Sequence, residues 1–159
     1  MLLEKPVAQC SACPLYSAPF GKSSGFVPAS GDGQSGVLIV GEAPGEDEEL
    51  AGIGFVGRSG QYLFSTLKRA GMDRDGFRIA NVCACRPPKN VLAKASYEDA
   101  AVEACSPILD AIIAEQRELC LKIGKTFVIL ALGRTASKRI LGVPDNHPMM
   151  RANYQVYPH

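Results

Sequence analysis

The sequence predicts an α/β fold, a three-layer sandwich in which a short, mostly parallel central sheet is flanked by helices. Two continuous apolar runs, Val37-Leu38-Ile39-Val40 and Phe127-Val128-Ile129-Leu130-Ala131-Leu132, suit strands covered on both faces. Each is followed at once by a glycine, Gly41 or Gly133, as a strand-to-helix turn favours. Stretches of helical spacing alternate with these runs and with a further strand-like segment, and that alternation makes parallel sheet.

At 159 residues the chain has the size of one domain, spanning 1–159. A chain of this length buries roughly 68–70% of its unfolded surface. Residues 14–36, rich in Gly, Ser and Pro, read as a loop leading from Cys10-Ser11-Ala12-Cys13 to the first core strand. Gln61 to Ala70 carries Leu63, Phe64, Leu67 and Ala70 at helical spacing, and Gly71 suits the C-terminal cap. Phe77 to Val82 reads as a second strand, which Pro87-Pro88 ends. A helix follows from about Ser96, the expected N-cap with Asp99 three residues on, to about Glu118. Thr135 to Leu141 forms a short last helix, and Tyr154 to Tyr157 is strand-like. The loops after residues 40, 80 and 132 gather on one edge of such a sheet, so Glu42, Asn81 and Gly133 are expected to be neighbours.

Lys and Arg number 17 against 16 Asp and Glu, a net charge of +1 that neither requires nor excludes a nucleic-acid partner. No apolar run approaches the roughly 20 residues of a membrane span, and Met1-Leu2-Leu3-Glu4-Lys5 lacks the pattern of a secretion signal. A cytoplasmic protein without a membrane partner is expected. In that compartment the cysteines, at 10, 13, 83, 85, 105 and 120, are expected as thiols or metal ligands rather than a disulfide framework. Cys10-x-x-Cys13 with two distant cysteines suits zinc or an iron-sulfur cluster equally, since both accept four thiolates.

The segment Gly41 to Gly60 places carboxylates, glycines and one aromatic at the end of a buried strand, where open α/β sheets build their sites. Glu42 is the leading carboxylate; the plainer use of such an acid is to complement a helix dipole, as expected for Glu46, Asp47 and Glu49. Phe55, among glycines, is either an exposed stacking face or a core aromatic. Asn81 ends the second strand and offers an amide to a ligand, or else closes a turn. Amides around Gly57 to Gly60 and after Gly133, with Arg58, Arg86, Lys89 and Arg134, are candidate phosphate contacts.

Five pieces together resemble the family 4, iron-sulfur-containing uracil-DNA glycosylases: Cys10-x-x-Cys13-Pro-Leu; Gly41-Glu42-Ala43-Pro44-Gly45 with Phe55-Val56-Gly57; Asn81-Val82-x-x-Cys85-Arg86-Pro87-Pro88; Cys105; and Leu132-Gly133-Arg134-x-Ala136. The resemblance covers Cys10 to about Tyr157 and implies the glycosylase-like three-layer fold. It also implies a 4Fe-4S cluster on Cys10, Cys13, Cys85 and Cys105 that ties loops together. Cys85 is preferred to Cys83 because the family ligand directly precedes Arg-Pro-Pro, and Cys120 is left as a small buried hydrophobe.

The implied activity is hydrolysis of the N-glycosidic bond of deoxyuridine in DNA, the opening step of base excision repair. Breaking that bond passes through a cation-like sugar, which calls for an anion, a water and donors for the departing base. By resemblance Glu42 is the catalytic carboxylate, while Gly41, Glu48, Phe55 and Asn81 bind the substrate. The Asn81 amide pairs with uracil N3–H and O4 in a pattern that cytosine reverses, and Phe55 stacks on the flipped base. Uracil-containing DNA is the expected partner of a monomer, with replication or repair proteins as further partners. The family's His-Pro-Ser-like motif is expected beyond the end of this sequence, and His147-Pro148 and His159 are weak substitutes for it. The alternative expectation is an inactive iron-sulfur module of the same fold that binds DNA or protein.

Overall fold

The computed structural model describes residues 10–16, 25–142 and 144–146. Three strands, β1 (Val37–Gly41), β2 (Arg78–Asn81) and β3 (Val128–Ala131), form a parallel sheet in the order β2-β1-β3. Ile39 lies opposite Ile79 on one side and Leu130 on the other, which fixes the register. The helices are α1 (Glu46–Ala51), α2 (Arg58–Arg69), α3 (Glu98–Ile123) and α4 (Gly133–Leu141).

Alternation along β1 divides the core into two layers. Ile39 packs with Phe77 and Ile79 against Leu63, Phe64 and Leu67 of α2, whereas Leu38 and Val40 pack against Ala101, Ala104, Ile108 and Leu109 of α3. Successive side chains of a strand point to opposite faces, and right-handed crossovers running in opposite directions along a sheet, here β1 to β2 and β2 back to β3, place their helices on opposite sides. The expected three-layer α/β sandwich follows. Leu38, Ile39 and Val40 are fully buried.

The expected strand at Phe127 to Leu132 is shorter and less covered. Val128 is 45% exposed and its three successors are half-buried, because β3 pairs with β1 on one side and has no strand on the other among the described residues. The loop expected at 14–36 is one in its described part, yet it runs antiparallel beside β2, with Ser30 opposite Ile79 and Phe26 opposite Cys85.

The helix expected from Gln61 starts a turn earlier, at Arg58, and Gly71 follows the Ala70 cap with φ of +79°. The long helix starts after Tyr97 rather than Ser96, and the Glu98 carboxylate takes the Lys94 N–H at 2.6 Å. It continues beyond Glu118 to Ile123, where Gly124 closes it in the left-handed conformation. No helix among the described residues is long and apolar enough to cross a membrane. The expected strand at Tyr154 to Tyr157 lies outside the described residues.

The difference between centre and edge gives a stability prediction. Leu109→Ala, with its side chain fully buried on α3, is expected to cost about 2–5 kcal/mol. Val128→Ala at the edge is expected to stay within roughly 0.5–1 kcal/mol. Urea unfolding of both variants checks the contrast.

Candidate active site

Open α/β sheets bind ligands in the crevice beyond the C-terminal ends of their strands, and here the chain leaves β1 toward β2 and then returns across β1 to β3, so that β1 is the central strand. Gly41 and Glu42 stand at that end. Gly41 is paired with Asn81, Leu132 N–H donates to Val40 C=O at 2.9 Å, and Cys83 N–H donates to Glu42 C=O at 3.0 Å. The expected meeting of the three strand ends is therefore present.

The Glu42 side chain is held at both oxygens. Oε1 accepts the Ala93 N–H at 3.2 Å, and Oε2 accepts the Thr135 hydroxyl at 3.1 Å. Thr135 Oγ1 also lies 3.0 Å from Oε1 of the buried Glu98, whose carboxylate receives Arg134 Nη1 at 2.7 and 3.0 Å. Arg134 pairs further with Asp145, which raises the guanidinium's pKa and lowers that of the aspartate.

Phe55 and Asn81 close in over Gly41. A Cβ at Gly41 would come within 2.4 Å of the Phe55 ring and 2.6 Å of Asn81 Oδ1, so the absent side chain is what admits both. Phe55 is half-buried and packs on the Ile39–Phe77–Ile79 layer, meeting the stacking and core readings halfway. Its φ of +57° is unusual for a bulky residue.

That backbone is clamped by two charged groups. Glu48 Oε1 accepts Val56 N–H at 3.0 Å and Gly57 N–H at 2.8 Å, while its Oε2 accepts Gly45 N–H at 3.0 Å. From the other side Arg74 donates to the Phe55 carbonyl at 3.0 Å and to the Gly54 carbonyl, and lies over the Phe64 ring at 4.2 Å. Burial lowers the Arg74 pKa, and Asp75 and Glu48 oppose that fall.

Several side chains expected at the site have partners within the chain. Glu48, expected beside the base, spends its carboxylate on loop amides. The Gly57 amide at the start of α2, expected for phosphate, is taken by that same carboxylate. Arg86 is engaged by Glu49 at 2.8 Å, Glu46 at 3.6 Å and Asn90 at 2.7 Å, and Arg134 by Glu98 and Asp145. Arg58 and Lys89 remain exposed. Thr135, Glu98, Arg74 and Ala93 were missed, since each acts through a contact distant in sequence. His147 and His159 lie outside the described residues. A cavity of about 140 Å³ reaches Asn81 from behind, between Phe26–Ala29, β2 and α3, and its lining includes neither Glu42 nor Phe55.

Cys13, Cys83, Cys85 and Cys105 share the core layer that packs against α3. A tight turn at Cys10–Ala12 brings Cys13 N–H to Cys10 C=O at 3.1 Å, and α3 packs against this turn. Cys105 Sγ accepts the Ala84 N–H at 3.2 Å. The Cys83 thiol and that amide pull the Cys105 pKa down to about 7 against the effect of burial, whereas bonding to Cys105 and burial drive Cys83 upward. Burial also raises Cys13, which feels Cys105 and Cys10, while Cys83 feels Cys13 and Cys85. Among the described residues no three or more His, Cys, Asp or Glu side chains are grouped closely enough to hold a metal ion. Cys120 is buried away from these thiols on α3, its Sγ 3.8 Å from Gly36 C=O, as expected of a small hydrophobe.

A parallel α/β sheet with a tethered carboxylate, an amide and an aromatic ring at the C-terminal ends of its strands defines a site of the ligand-binding α/β class. Residues 28–159 match the model of the uracil DNA glycosylase superfamily, and the chain belongs to that superfamily. It is 39% identical over 139 residues to a type-4 uracil-DNA glycosylase of Pyrobaculum aerophilum, covering 87% of this chain and 63% of that protein. It is 34% identical over 139 residues to the type-4 enzyme of Sulfurisphaera tokodaii, covering 87% and 56%. The type-4 enzyme of Archaeoglobus fulgidus is 31% identical over 141 residues, covering 89% and 63%. The chain thus spans roughly three-fifths of the length of these relatives.

Gly41→Ala tests the close approach of Phe55 and Asn81. The new methyl must displace one of them, with an expected loss of about 1–3 kcal/mol in thermal unfolding and a changed Asn81 side-chain amide resonance. Gly52→Ala, which meets nothing within 4 Å, bears only the cost of its left-handed backbone and leaves that resonance in place.

Proposed function

We propose that the protein is a uracil-DNA glycosylase that hydrolyses the N-glycosidic bond of deoxyuridine in DNA. The observation that carries this reading is Glu42, fixed at both oxygens by Ala93 and Thr135 at the end of the central strand and next in the chain to Gly41, over which the Phe55 ring and the Asn81 amide close. The type-4 enzymes named above support it.

In this reading the base leaves the DNA stack and lies against Phe55. Asn81 accepts from uracil N3–H and donates to O4. Glu42 faces the sugar, where its negative charge stabilises the cation-like transition state and its carboxylate takes a proton from the attacking water. Glu48 and Arg74 act on the base through Phe55, as positioning residues rather than contacts.

The iron-sulfur cluster belongs to the same proposal. The donor chemistry suits it, since thiols from the N-terminal turn, the loop after β2 and α3 feel one another, and the Cys83 thiol and the Ala84 amide favour the ionised form of Cys105. Cys10, Cys13, Cys85 and Cys105 would hold the cluster. When bound it supplies a rigid tie between three segments of chain. Cys83, a protonated donor to the Cys105 sulfur, then stands outside the ligand set. We further assign uracil-containing DNA as partner, a monomeric state and a cytoplasmic location.

Uracil release from a single-stranded oligonucleotide bearing one deoxyuridine tests the activity. Glu42→Ala is expected to lower release by about a hundredfold or more with iron content unchanged. No Glu42-dependent release from folded, iron-loaded chain would favour an inactive binding module instead. For the cluster, Cys85→Ser is expected to lower iron per chain and folded yield, whereas Cys83→Ser, which keeps a donor, leaves both near wild type. The reverse result would exchange the two cysteines as ligands.

A further inference from the structure

Thr135 stands between two carboxylates with one proton to give. Its Oγ1 is 3.1 Å from Glu42 Oε2 and 3.0 Å from Glu98 Oε1. A hydroxyl donates one hydrogen bond and accepts two, so it serves only one of these oxygens as donor at a time. Glu98 needs that proton least. It is 5% exposed and already receives the Lys94 N–H at 2.6 Å and Arg134 Nη1 at 2.7 and 3.0 Å. Among the described residues Glu42 has only the Ala93 N–H, at 3.2 Å, besides Thr135. The resting hydroxyl therefore points to Glu42.

We propose that Thr135 is a hydroxyl switch between Glu42 and Glu98, a positioning device for the carboxylate that the excision reading makes catalytic. At rest the hydroxyl donates to Glu42 Oε2, steers that carboxylate and stabilises its charge. When water attacks C1′, its proton passes to Glu42 and its electron pair forms the new C1′–O bond. The C1′–N1 pair leaves with the base. The new Oε2–H of Glu42 then donates to Thr135 Oγ1, and the hydroxyl rotates to donate to Glu98 Oε1. The Thr135 O–H bond never breaks, and Glu98 gains no proton. The proton on Glu42 returns to solvent as the product leaves.

Glu98 is suited to wait for that rotation because its position is fixed independently of Thr135. Arg134 on α4 and the Lys94 backbone on the loop after β2 hold it from two elements. The other charges around the network are the Lys94 side chain, Asp145, which pairs with Arg134, and Lys138, which pairs with Asp99 at 3.2 Å. None of them interposes a second donor between Thr135 and Glu42 in the hydrogen bonds of the described residues.

The test follows the Glu42 and Glu98 side-chain carboxyl carbons by NMR against pH in the intact chain, as wild type, Thr135→Ser and Thr135→Val. Assignment uses Glu42→Gln and Glu98→Gln. The switch predicts that titration of Glu42 is echoed at the Glu98 carboxyl in wild type and in Thr135→Ser, and that the echo is largely lost in Thr135→Val. Excision should fall roughly tenfold or more in Thr135→Val through kcat, with KM little changed. Thr135→Ser should restore excision. An undiminished echo in folded Thr135→Val, or full loss of excision in Thr135→Ser, would overturn the switch. Absence of release from wild type would instead sink the excision reading, and the carboxyl titration would still decide the role of Thr135.

Discussion

Burial of β1 on both faces is the constraint on which the rest depends. With Leu38, Ile39 and Val40 enclosed by α2 below and α3 above, and with a strand on either edge, no side chain within β1 is free for chemistry. The first side chain released from that enclosure is that of Glu42, which follows the buried Gly41. Glu42 there meets the start of α4 at Thr135 and the loop at Ala93, and through Thr135 it is linked to Glu98, the first residue of α3. The same layering that stabilises the sheet sets a carboxylate in a crevice with its neighbours fixed.

The loop carrying Phe55 shows how charge offsets local strain. A left-handed backbone at a phenylalanine costs about 1–3 kcal/mol. Hydrogen bonds to charged groups each contribute roughly 1.5–3 kcal/mol net. Glu48 makes two of them to the amides that follow Phe55, and Arg74 holds the Phe55 carbonyl. The clamp therefore outweighs the strain even when partial exposure reduces each bond. Gly60 completes it, since a Cβ there would meet the Phe55 carbonyl oxygen at 2.1 Å. An acid and a base that resemble ordinary surface residues are thus what aims the aromatic ring.

Much of this was legible in the sequence, for identifiable reasons. An apolar run without alternation marks a doubly covered strand, and a glycine after it marks the turn, so β1, its crevice and the meeting of Glu42 with Asn81 were readable from local pattern. The second apolar run misled because it carries the same signal at an edge, where Val128 is exposed. Composition also hid the division of labour among acids. Glu42, Glu48 and Glu98 are the same residue type, but one faces the crevice, one caps a loop and one is buried against Arg134. Those roles arise from contacts tens of residues apart, such as Thr135 with Glu42, which no short motif encodes. Arg86 and Arg134 read as phosphate contacts for the same reason, because their carboxylate partners lie elsewhere in the chain.

We propose that the end of β1 holds uracil between the Phe55 ring and the Asn81 amide. The most direct measurement is the side-chain amide resonance of Asn81 in the Glu42→Ala chain, titrated with oligonucleotides that differ only in one deoxyuridine or deoxycytidine. A shift of that resonance with deoxyuridine, together with a ring-current change from Phe55, and neither with deoxycytidine, is the predicted result. Equal responses to both bases, or binding that leaves Asn81 and Phe55 unchanged, would contradict it.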